Sequence, residues 1–183
     1  MEATKYELIN SVIQLSDHKL WDLAVTEWEI LDCIDSESCD GKCICGHENI
    51  RYMFTIRNVR NGNELFPIGS QCIKKFERQD LTSEVAIYEK LFKLLGEFKR
   101  TGYVEFSSKY FSKKLLKFLW LWDKKCFKAT KFNCFDPEND YVFLLDMFNK
   151  HSPKNDRQNK KIKALIRQNI VPFLNEFLDK KQR

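Results

Sequence analysis

The chain has 183 residues, 43% hydrophobic and 31% charged, and a formal net charge of +5. That is enough for one domain or two small ones with a real core, and no run of about 18 uninterrupted apolar residues suggests a membrane-spanning helix. Charge is uneven: residues 1–50 hold eleven Asp and Glu against three Lys and Arg, a net of −8, which leaves +13 for the remainder. An acidic N-terminal face thus precedes a basic body, and a basic body suits an acidic partner.

The first element is expected to be a helix from about Ala3 to Leu15, because Tyr6, Ile9, Val12 and Ile13 recur at helical spacing. Ser16-Asp17 interrupts it, and a short turn at Leu20–Ala24 leads to Trp28–Asp32, where Trp28 and Ile30 alternate with Glu29 and Leu31 as in a strand. His18 on this arm reads as a solvated side chain. Asp35 to Lys42 is a polar loop.

The chemistry-bearing stretch follows. Cys43-Ile44-Cys45-Gly46-His47 places three soft ligands within five residues. Ile50, Tyr52, Phe54 and Ile56 then alternate with Arg51, Met53, Thr55 and Arg57, the period-two pattern of a strand with one buried face. Asn61-Gly62 favours the positive-φ geometry of a tight hairpin turn, and the return strand covers Asn63 to Ile68. Ser70 is expected to cap a helix that carries Cys72 in its first turn, with Ile73 and Phe76 pinning it onto the hairpin. A knuckle, a hairpin and a helix bearing the last ligand is the plan of a treble-clef zinc finger.

Zinc prefers four sulfur and nitrogen ligands in a tetrahedron. The expected set is Cys43, Cys45, His47 and Cys72, with Cys33 or Cys39 as replacements for one member, because a C-x-C-x-H knuckle needs a sharp turn at Gly46. Seven cysteines, an odd count, behind a start (Met1–Tyr6) that lacks the form of a signal peptide argue for reduced thiols and metal over disulfides. The cytoplasm is the expected compartment.

Beyond Phe76 the pattern becomes helical. Thr82 or Ser83 caps a helix to about Lys99, with Val85, Tyr88, Leu91, Phe92, Leu95 and Phe98 as its stripe and Gly102 as its stop. A second helix runs from Ser107 or Ser108 through Trp122, and its wide apolar arc, including Leu119 and Trp120, marks it as the central one. Asp136-Pro137 starts a third, and a fourth runs from Arg157 to Lys180, kinked or split at Pro172. The expected fold is α+β: a treble-clef-like zinc finger with a small antiparallel sheet in residues 1–80, then an α-helical bundle in residues 81–183.

No catalytic constellation is visible. Cys126 and Cys134 have no histidine near them in sequence, there is no glycine-rich phosphate loop or H-E-x-x-H helix, and four protein ligands on zinc would leave no open position for water. No small-molecule substrate is indicated.

Cys43-Ile44-Cys45-Gly46-His47, Ile50, Ile56, Asn58, Asn61-Gly62 and Ile68-Gly69-Ser70-x-Cys72-Ile73-x-x-Phe76 together resemble a small zinc-finger module of uncharacterised phage and mobile-element proteins. The resemblance spans residues 43–76. It implies bound metal and a viral or mobile-element origin, hence a host cytoplasm, but no activity.

Two functional readings follow. The first is a nucleic-acid-binding accessory protein. Its support is Arg51, Arg57, Arg60, Lys74, Lys75 and Arg78 around the finger, and above all a second cluster, Arg157, Lys160, Lys161, Lys163 and Arg167. The finger's bases partly balance its thiolates, so the second cluster is expected to dominate binding. The alternative is a protein–protein inhibitor or adaptor, for example a counter-defence factor in a host–virus interaction acting on a host nuclease, with the acidic residues 1–50 mimicking nucleic-acid charge.

Overall fold

The structure, a computed structural model, describes residues 2–122 and 126–181. Its contacts separate two units, one ending at Tyr88 and one beginning at Glu89, so the division falls inside a helix rather than at residue 80.

The first unit opens with helix α1 (Glu2–Leu15) and a short α2 (Trp21–Ala24), followed by a 3-10 turn into β1 (Trp28–Asp35). Leu8 and Val12, one turn apart, are the fully buried side of α1, whereas Tyr6 is exposed, so the apolar stripe is narrower than its spacing suggests. β1 pairs antiparallel with β2 (Tyr52–Asn58), which pairs antiparallel with β3 (Glu64–Gly69), giving a three-stranded sheet in the order β1-β2-β3. The alternation holds: Trp28, Ile30, Phe54, Ile56 and Ile68 are buried, while Glu29, Leu31 and Arg57 face solvent. A register shift between Ile30 and Asp32 then brings Cys33 to the buried side.

The hairpin loop is longer than an Asn-Gly turn. Asn58 N–H donates to Asn63 O, enclosing Val59–Gly62, and only Gly62 (φ +77°) uses the glycine geometry. The asparagines serve a second purpose. The side chains of Asn58, Asn61 and Asn63 all donate to Leu15 O and so satisfy the exposed carbonyl end of α1.

Behind this loop lies a buried carboxylate that the sequence does not announce. Glu27 is 1% exposed and accepts from the N–H groups of Asp17 and His18, from Asn58 Nδ2 at 2.6 Å, and pairs with His18 Nδ1 at 2.6 Å. Burial alone would raise its pKa, but these hydrogen bonds outweigh burial and hold it at about 2. His18 is therefore a half-buried partner and not a free surface group, which corrects the reading above.

Helix α3 (Ser70–Lys74) begins directly after β3, with Gly69 at its N-cap and no side-chain cap; Ser70 lies inside the helix instead of capping it. Ile73 and Phe76 are buried as expected, and Phe76 packs edge-on against Trp21. Helix α4 (Gln79–Thr101) starts earlier than its hydroxyls suggest: Thr82 and Ser83 bond back to the carbonyls of Arg78 and Gln79 within the turn. Gly102 ends it in the left-handed conformation, its N–H on Phe98 O.

In the second unit, the described residues after α4 form α5 (Lys113–Leu121), α6 (Glu138–Asn149), α7 (Asp156–Leu165) and α8 (Val171–Lys181). Ser112 caps α5, five residues later than Ser107 would place it, and the helix covers less than the spacing suggested. Leu115, Leu116 and Leu119 are fully buried, but Trp120 is only half-buried, stacked on Tyr141. Pro172 does not split the last helix. Residues Ile166–Ile170 form a π-helical turn that joins α7 to α8 just before Pro172. No helix among the described residues is long and apolar enough to cross a membrane.

Candidate metal centre

Three of the four expected ligands converge. Cys43 and Cys45 lie on the loop before β2, and Cys72 lies on α3 after β3, so the hairpin folds the chain back on itself to bring them together. All three are buried and their sulfurs lie within 4.8 Å of one another. Cys43 Sγ is 3.6 Å from Cys72 Sγ, and Cys72 Sγ is 3.3 Å from Cys45 Sγ. A tetrahedron with ligands about 2.3 Å from a metal has edges of about 3.8 Å, so the thiols already approximate one face of such a site. The donor set fits a thiophilic divalent ion.

The local backbone explains the convergence. Gly46 N–H donates to Cys43 O and Cys43 N–H to His47 O, which closes a tight turn that Gly46 enters at φ +84°. That conformation is open to glycine at little cost. Ile44 N–H donates to Pro67 O and ties this turn to β3. Gly69 N–H donates to Cys43 Sγ at 3.3 Å, a contact the sequence offered no sign of. The hydrogen bond with Cys72 lowers the Cys43 thiol to about 5 despite its burial, aided by the N–H groups of Cys45 and Gly69. The same bond and burial push Cys72 upward.

His47 does not join the group. Its backbone is part of the turn, but its side chain is exposed and lies outside the thiol cluster. The two reserve cysteines do not join it either. Cys33 is buried in β1 opposite Phe54, and Cys39 lies in the polar loop with its N–H on Ser36 O. The fourth position is therefore not filled by either of them.

Some of the finger's cations are engaged, while Arg57, Arg60, Lys74 and Lys75 are exposed. Arg51 forms a two-point pair with Asp35, Lys42 pairs with Glu48, and Arg78 pairs with Asp80 while donating to the carbonyls of Val25, Thr26 and Trp28. Asp35 and the buried Glu27 are correspondingly removed from the acidic surface of residues 1–50.

In the second unit, Arg157, Lys160 and Lys163 of α7 are exposed and fall within about a third of its circumference, and Arg167 of the π-helical turn that follows is exposed as well. Lys161 turns the other way. Its ammonium is 2.8 Å from the buried Asp140 and lies over the Phe143 ring, so the expected basic cluster loses one member. No family model, curated protein or solved structure gives a significant match to this chain.

Proposed function

We propose that this protein is a zinc-stabilised, treble-clef-like nucleic-acid-binding accessory protein. In this reading Cys43, Cys45 and Cys72 hold zinc and His47 supplies the fourth ligand, because a structural site uses four and His47 is the donor nearest in sequence to the thiol turn. Zinc offsets two of the three thiolate charges and fixes the knuckle, the hairpin and α3 to one another; it takes no part in chemistry. His47→Ala should retain zinc less tightly than the natural protein, whereas Cys39→Ser should not change it.

The binding role is carried by one observation: Arg157, Lys160 and Lys163 of α7 and Arg167 of the π-helical turn that follows it are all exposed on one side of that segment. Surplus charge on one face binds phosphates without reading sequence. The resemblance at residues 43–76 adds a phage or mobile-element origin and a host cytoplasm to this reading. Reversing the four residues to glutamate and titrating labelled DNA and RNA at several salt concentrations tests it. Each lost phosphate contact should lower the salt slope by about 0.7 to 0.9. Unchanged affinity would favour the inhibitor or adaptor reading instead.

A further inference from the structure

The turn before α6 exposes two aromatic rings on a backbone that holds them rigidly. Phe132 is 81% and Phe135 72% exposed, and Lys131 Nζ lies 5.2 Å from the Phe132 ring centre. Cys134 (φ 56°) and Phe135 (φ 59°) both adopt the left-handed conformation, which is costly for residues with a Cβ. A buried polar frame sustains it. Asn133, 2% exposed, accepts from Thr130 N–H and donates to Lys128 O and Asp140 Oδ2, each at 2.8 Å. Phe135 N–H donates to Thr130 O, and Asn139 Nδ2 to Asn133 O.

The other oxygen of Asp140 binds Lys161 of α7. One buried carboxylate therefore anchors both the aromatic turn and the helix that carries Arg157, Lys160 and Lys163, which the turn bearing Arg167 continues. Lys128 and Lys131 on the turn are also exposed. Strain and burial are both spent to display two phenyl rings that gain no core contact by it.

We propose that Phe132 and Phe135 form a stacking platform for unpaired bases of a single-stranded nucleic acid whose phosphates lie along the cationic face of α7. The inference rests on the nucleic-acid reading above and adds strandedness to it. Phenyl rings reach base faces only where the bases are not stacked on duplex neighbours, and stacking of this kind tolerates any sequence.

The test uses the full chain, oligo(dT) and oligo(U), a DNA duplex, and vesicles containing phosphatidylserine. Phe132→Ala/Phe135→Ala should bind both single strands at least about tenfold more weakly, with duplex affinity unchanged. Its salt slope should be unaltered, because no counterion contact is lost. Phe132→Trp/Phe135→Trp should restore binding, and both rings are exposed, so folding is preserved. If the alanine variant binds single strands like the natural protein while the four-residue glutamate reversal does not, the platform is overturned and the nucleic-acid reading survives. Absence of binding to every nucleic acid overturns both. Loss of vesicle binding in the alanine variant, without loss of single-strand binding, overturns the platform in favour of a lipid surface.

Discussion

Gly69, the last residue of β3, donates its N–H to Cys43 Sγ across 3.3 Å, so the strand end and the thiol turn are joined through sulfur. The bond stabilises a thiolate and fixes the direction of its lone pairs, as partners around metal ligands commonly do. Gly69→Pro removes this donor at a φ (−78°) that proline can accept, and should weaken zinc retention by about tenfold or more. Gly69→Ala keeps the N–H, and its Cβ would meet Ile50 at an ordinary 3.4 Å, so its retention should stay close to natural. Competition with a chromogenic chelator measures both.

Glu27 makes stability depend on pH. Its pKa in the folded chain is about 2, against 4.5 for an unperturbed glutamate, because four hydrogen bonds favour the charged form over the effect of burial. A depressed folded value means that the contribution is complete above pH 4.5 and disappears as pH falls to about 2. The loss amounts to roughly 3 kcal/mol at the low end. Denaturant midpoints of the natural protein and Glu27→Gln should therefore converge on acidification, with the variant flatter across that window. A difference between the two that is constant from pH 6 to pH 2.5 would contradict this account of the network.

Lys161 and Lys160 are neighbours with opposite duties. Lys161→Ala takes from Asp140, 5% exposed, its cationic partner and leaves Asn133, so it should cost about 2 kcal/mol. Lys160→Ala removes an exposed charge and should change stability by less than about 0.5 kcal/mol while weakening phosphate binding. Thermal unfolding of the two variants compared with their salt-dependent binding separates the roles.

Much of the thiol module was legible in the sequence because its signals are local. Alternation at residues 50–57 and 28–31 marks strands, and the strands alone return Cys72 to Cys43 and Cys45. What was illegible depends on contacts between distant segments. Nothing near Glu27 says that Asn58, thirty-one residues later, will bury it, and His18 looked solvated for the same reason. Lys161 resembled its basic neighbours until Asp140 of another helix claimed it. The capping errors share a cause: Ser70, Thr82 and Ser107 can each start a helix, but packing of the preceding chain chose Gly69, a start at Gln79, and Ser112 instead. Trp120 belongs to the apolar arc of α5 yet stays half-buried, because its ring covers its apolar area by stacking on Tyr141.

The central claim is that three buried thiols exist to hold one zinc ion, and metal content tests it most directly. Protein purified without chelator, at neutral pH and with thiols kept reduced, should carry one zinc per chain by elemental analysis. Cys72→Ser should carry almost none and unfold its first unit, because metal binding and folding are coupled, while Cys126→Ser should keep its full complement. Natural protein that is folded and free of zinc or any other thiophilic metal would contradict the account.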